Sequence, residues 1–94
     1  MILLSPDAAS DVERVRSFLD QRNPNAAKRA LAVIWRALDK VQVFPKLGAP
    51  TVDPDIRQIV VHFGSSGYIV RYTALPQTGD ILVTRIWHGR EARA

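Results

Sequence analysis

Residues 56–91 read IRQIVVHFGSSGYIVRYTALPQTGDILVTRIWHGRE. Three runs rich in β-branched and aromatic residues are separated by Gly64-Ser65-Ser66-Gly67 and by Pro76-Gln77-Thr78-Gly79-Asp80, the residue types that turn antiparallel strands. The stretch is therefore a three-stranded meander that ends in the polar cluster Arg85-Ile86-Trp87-His88-Gly89-Arg90. In the first strand, Ile56, Gln58, Val60 and His62 alternate with Arg57, Ile59, Val61 and Phe63. The second set is the more apolar after Arg57 and is predicted to face the core. In the last strand, period two places Ile81, Val83, Arg85 and Trp87 on one face and Leu82, Thr84, Ile86 and His88 on the other. Only a short tail follows the cluster, so its side chains are expected to be free to face a partner.

Upstream of the meander, the pattern becomes helical. Met1 to Leu4 is a short aliphatic strand, and Ser5-Pro6-Asp7 supplies a hydroxyl cap, a first-turn proline and a carboxylate at the positive end of the dipole. Ala8, Val12, Val15 and Leu19 form the stripe of a helix that ends near Arg22. Asp11, Arg14 and Arg16 lie mostly off that stripe, and the two arginines are read as a solvated face. Asn23-Pro24 repeats the start signal for a second helix to about Val43, and the tight connection folds it back as a hairpin. Its apolar character extends through Ala26, Val33, Trp35 and Ala37, wider than one buried face needs. The segment from Phe44 to Asp55, punctuated by Pro45, Gly48, Pro50 and Pro54, is read as a loop. The order β-α-α-β-β-β predicts an α+β fold, with the helical hairpin on one face of a small, mainly antiparallel sheet.

Bulk composition narrows the function classes. The 94 residues make a single domain over 1–94, and 47% hydrophobic with 23% charged content is that of an ordinary globular chain. Without cysteine there is neither a disulfide scaffold nor a thiolate metal site. The opening Met1-Ile2-Leu3-Leu4 run is too short for a signal peptide or a membrane span, so a cytoplasmic location is expected. A net charge of +4 favours an acidic partner, but the basic residues are dispersed rather than gathered in a run. The sequence carries no phosphate-binding glycine loop, HExxH motif, paired carboxylates or metal-ligand spacing, and no cofactor is expected.

Four segments in order carry a family resemblance: Ser5-Pro6-Asp7-Ala8, Phe44-Pro45-Lys46-Leu47-Gly48, Gly67-Tyr68-Ile69-Val70-Arg71-Tyr72 and Arg85-Ile86-Trp87-His88-Gly89-Arg90. Along essentially its whole length the chain resembles the ParE/RelE superfamily of type II toxin–antitoxin toxins, ParE-like more than RelE-like. The resemblance implies a growth inhibitor with a role in plasmid or chromosomal stability. It also implies a hetero-oligomer with a cognate antitoxin whose acidic, partly disordered segment folds on binding. ParE-like members poison DNA gyrase, whereas RelE-like members cut mRNA on the ribosome with converging cationic groups that activate the 2′-hydroxyl and stabilise phosphate charge. When Gly67-Tyr68 is matched to the Gly-Tyr of RelE-like chains, their cationic positions fall on Val60, His62 and Ile69. Two of those three cannot hold a phosphate's charge.

The resemblance thus ranks a gyrase poison first and a ribosome-dependent endoribonuclease second, with a degenerate toxin retaining only antitoxin binding as a third reading. If the chain is enzymatic, the candidate residues are His62, Arg71, His88 and Arg90. Trp87, His88 and Arg90 are the candidate target contacts, and Trp35, Arg71 and Arg85 the candidate antitoxin contacts. Each has a plainer use: core packing for the two tryptophans, an exposed strand position for His62, a satisfied strand-end residue for His88. Tyr68 and Tyr72 are read as packing residues.

Overall fold

The computed structural model describes residues 1–89. Its elements are β1 (Ile2–Leu4), α1 (Pro6–Asp20), α2 (Pro24–Val43), β2 (Ala49–Pro50), β3 (Arg57–Phe63), β4 (Ser66–Ala74) and β5 (Ile81–His88). Both helix starts follow from local chemistry. The Ser5 hydroxyl accepts the Ala8 N–H at 3.0 Å, and the Asn23 side chain accepts those of Asn25 and Ala26 at 3.0 and 3.3 Å. A proline follows each cap, where its missing N–H costs nothing. The connection of residues 21–23 packs α2 against α1, as the sequence predicts.

The sheet has the order β1-β5-β4-β3-β2. Its pairs are antiparallel except at β1, which lies parallel to β5. Its helix-facing side brings Val61, Tyr68, Val70, Val83 and Ile86 against Ala8, Val15, Ala30, Ile34 and Leu38, all at most 5% exposed. Burying each of the larger aliphatic side chains contributes roughly 1.5–3 kcal/mol, which is what binds the helical layer to the sheet. Tyr68 and Tyr72 are both core residues, in line with their reading as packing side chains.

Two local features differ from the sequence expectation. Ala49–Pro50 is a two-residue strand inside the segment read as a loop, paired to Gln58 and Arg57. Two residues without alternating apolar character carry no periodic signal, so nothing local marks it. The Phe44–Gly48 segment is also anchored: the Tyr72 hydroxyl donates to the Pro45 carbonyl at 2.7 Å and accepts the Gly48 N–H at 2.8 Å. A Cβ on Gly48 would stand 2.8 Å from the Tyr72 ring and hydroxyl and 2.9 Å from the Gln58 carbonyl, so the position has room only for glycine. The second difference, in β5, shapes the candidate site.

Candidate functional site

The register of β5 against β4 slips between Arg71 and Tyr72, which pair with Arg85 and Val83. Thr84 is the extra residue, a β-bulge held by its hydroxyl on the Arg71 carbonyl at 3.2 Å. The bulge exchanges the faces of everything after it. Ile86 joins Ile81 and Val83 in the core, and His88 lies across from Tyr68 on the helix side. Arg85 and Trp87 face the open side opposite Arg71 and Ile69. The strict alternation read from the sequence is therefore wrong beyond Val83, because period two does not survive an inserted residue.

Beyond Leu4, among the described residues, no strand pairs with the outer edge of β5, and Ser5 and α1 supply the missing partners. The Ser5 N–H donates to the Val83 carbonyl at 2.9 Å and its hydroxyl to the Thr84 carbonyl at 3.0 Å. The Asp11 carboxylate accepts the Ile86 N–H at 2.8 Å, and Arg14 donates to the Ile86 carbonyl at 3.1 Å. The same carboxylate takes two bonds from Arg85, at 2.8 and 3.2 Å, and one from Arg14 at 2.6 Å. Burial of Asp11, which is 2% exposed, pushes its carboxyl up. The hydrogen bonds from Arg85, the Ile86 N–H and Arg14, with the charge of Arg85, outweigh that and hold it below the ordinary carboxylate value. Asp11 is thus a structural centre that the sequence reading placed off the buried stripe. Arg14 is engaged with it rather than solvated, and Arg85 has an internal ion pair.

On the open face, cross-strand neighbours form rows. Val60, Ile69 and Trp87 make an apolar row over β3, β4 and β5, and Gln58, Arg71 and Arg85 make a polar row beside it. The Arg71 guanidinium stacks over the Trp87 ring, 4.9 Å from its centroid, and its Nε donates to the Gln58 side chain at 3.2 Å. Trp87 is only 6% exposed, so the expectation that nothing would bury this cluster is overturned for the indole. Val60 is 53% exposed and His62 is exposed near the hairpin end of the same face.

His88 is on the other side. Its ring meets Tyr68 edge-on at 5.3 Å and lines a cleft of about 660 Å³ with Arg14, Phe18, Arg22 and Ser66. His62 and Arg71 therefore share a face that His88 does not, and Arg90 lies outside the described residues. Of the four catalytic candidates, two are brought to one face, and they do not converge with the third. Among the described residues no group of His, Asp or Glu could hold a metal ion, and no helix is long and apolar enough to cross a membrane.

A groove of about 760 Å³ runs between α2 and the outer edge of β3. Val33, Ala37, Leu47 and Val61 give it apolar walls, and Arg36 and Lys40 add two cations on one helix face. Trp35, 36% exposed on the same helix, is not among the residues lining it. The sequence reading missed this site. Its one available signal was the Arg36/Lys40 spacing of four on a helix already apolar beyond a single face.

Known proteins resemble this arrangement along its full length. The family described as "ParE toxin of type II toxin-antitoxin system, parDE" matches residues 2–93. The chain is 39% identical over 92 residues to Toxin RelE1 of Caulobacter vibrioides, covering 98% of this chain and 96% of that protein. It is 31% identical over 90 residues to Toxin RelE3 of the same organism, covering 96% and 95%. Among solved structures, a chain of the chromosomal ParDE system from P. aeruginosa superposes with a TM-score of 0.71 at 17% identity over 93% of this chain and 92% of its own length. A chain of the intact E. coli RelBE toxin–antitoxin complex gives 0.62 at 17% identity, with 99% and 98% covered. At that identity the two structures share the fold.

Proposed function

Because this chain belongs to the ParE toxin family of type II toxin–antitoxin systems, we propose that it poisons DNA gyrase in the cytoplasm by binding rather than by cutting RNA, and that an acidic antitoxin silences it. The chain is a toxin of such a system, and its partner is a cognate antitoxin. The choice of target is supported by one observation, the apolar row Val60–Ile69–Trp87 across the open face. Ribonuclease chemistry needs cations that converge on one scissile phosphate. Here two positions of the row are aliphatic, the third is an indole under Arg71, and His88 faces the helices.

The ribosome reading is favoured by a different observation, the RelE names of the two curated relatives. Two assays on purified protein separate the readings. The proposal expects inhibited or poisoned gyrase supercoiling and intact ribosome-bound message. Cleaved message with normal supercoiling, abolished by His62→Ala or His88→Ala, would reverse the order. Inside cells, induction without antitoxin is expected to give filamentation and a DNA-damage response rather than prompt loss of translation.

A further inference from the structure

We propose that the outer face of α2 binds single-stranded DNA, with phosphates on Lys28, Arg29, Arg36 and Lys40 and a base stacked on Trp35. The cations look dispersed along the sequence, but α2 carries four of them against the single carboxylate Asp39. At 3.6 residues per turn these residues, with Ala32, fall within about 140° of the helix circumference and span about 18 Å along its axis. All of them are exposed. Lys28, Arg29, Ala32 and Trp35 do not line the groove beside β3, so this face is distinct from it. It is also independent of which target the toxin acts on.

A solvated helix face ordinarily intersperses the two signs and pairs them. The first helix does so, with Arg14 on Asp11 and Arg16 on Glu13. On α2, among the described residues, none of the four cations has a carboxylate within ion-pair distance. Arg36 and Lys40 stand one turn apart and Lys28 and Arg29 are adjacent, so like charges repel along the face until a polyanion neutralises them. Trp35 selects the kind of polyanion. It is 36% exposed, and among the described residues no ring or guanidinium stacks on it. Ala32, one turn before it, is small and exposed and leaves room beside the indole for a flat ring. An unpaired base offers that ring, whereas the bases of a duplex are already stacked on one another. An acidic polypeptide supplies the charge without the stacking. Between Lys28 and Lys40 the helix has no hydroxyl or amide side chain to read a ribose 2′-hydroxyl, which suits DNA rather than RNA.

The probe is a fluorescein-labelled oligo(dT) of about twelve nucleotides, titrated with the purified full chain and followed by anisotropy. Four phosphate contacts give an expected slope of log affinity against log salt of about −3, a loss of roughly fiftyfold between about 50 and 200 mM salt. Lys28→Glu with Arg29→Glu should weaken binding on the order of tenfold or more and about halve that slope. Trp35→Ala should cost roughly 5- to 150-fold, and Trp35→Phe, which keeps a ring, far less. Melting temperatures of both Trp35 variants show that they are folded. Arg16→Glu with Lys46→Glu changes the net charge equally and should alter affinity by less than about threefold. Absence of binding at low salt, an equal loss in the two charge-reversal variants, or unchanged affinity in a folded Trp35→Ala would overturn the proposal. So would tighter binding of the matching RNA or duplex, or equal competition by polyglutamate.

Discussion

Replacing Asp11 by alanine removes the acceptor on which α1 and β5 converge, and its cost follows from the bonds it makes. The Ile86 N–H lies at a core residue 1% exposed, and Asp11 is its acceptor at 2.8 Å. A buried donor left unsatisfied costs roughly 1–3 kcal/mol. The guanidinium contacts add less, because Arg85 and Arg14 are 34% and 41% exposed and solvent screens their charge. Together they contribute about 0.5–1 kcal/mol. The desolvation of the carboxylate disappears in the variant and offsets part of the loss. The net expectation is about 2–3 kcal/mol, which for a domain of this size lowers Tm by roughly 8–24 °C. Urea unfolding at neutral pH is the assay, with m-values compared so that only stability is read. Asp11→Asn retains an acceptor for the Ile86 N–H and should fall between wild type and Asp11→Ala. Glu13→Ala serves as the control, since its ion pair with Arg16 joins side chains 65% and 50% exposed and should change stability by less than about 0.5 kcal/mol. An Asp11→Ala loss no larger than that of Glu13→Ala would refute the view that this carboxylate closes the sheet edge.

Three further outcomes are expected. The folded carboxyl of Asp11 titrates below its unfolded value of about 3.9, so its stabilisation is fully present above that pH and is lost as pH falls through the lower folded value. Urea midpoints measured down that acid range should fall less steeply in Asp11→Asn than in wild type. Tyr72→Phe strands the Gly48 N–H and the Pro45 carbonyl and should cost about 1–3 kcal/mol by thermal melting, and Gly48→Ala should cost a similar amount by forcing a methyl into the ring. Trp87→Ala empties a site 6% exposed and should cost about 3–5 kcal/mol, whereas an unchanged Tm with lost toxicity would restore the indole as a target contact.

What the sequence reveals depends on how local the cause is. Both helices were legible because Ser5-Pro6 and Asn23-Pro24 carry their own start chemistry, and β3 and β4 because alternation needs no information from elsewhere. The bulge was not, since Thr84 has the same strand preference as its neighbours and only the cross-strand register reveals it as extra. Asp11 was hidden for a related reason. It lies three residues after Ala8 and four before Val15, squarely on the buried stripe, but a carboxylate there is discounted until its partners, more than seventy residues away, are known. His88 followed from the bulge, and the groove from the early end of β2. Each depends on contacts between segments far apart in the chain.

The parallel pairing of Ile2–Leu4 with Ile81–Val83 joins segments separated by 79 residues. Closing so long a loop costs more chain entropy than forming the helical hairpin or the β3–β4 hairpin, whose contacts are local. On a translating ribosome, at roughly 5–20 residues per second, the first strand waits on the order of 4–16 s for its partner to be made. During that interval Asp11 has no Ile86 N–H or Arg85 to bind, and the open face lacks its third strand. The row Val60–Ile69–Trp87, proposed above as the target-facing surface, is therefore completed only once β5 has been made. A nascent chain therefore cannot present that row before β5 has been translated, a delay set by strand order.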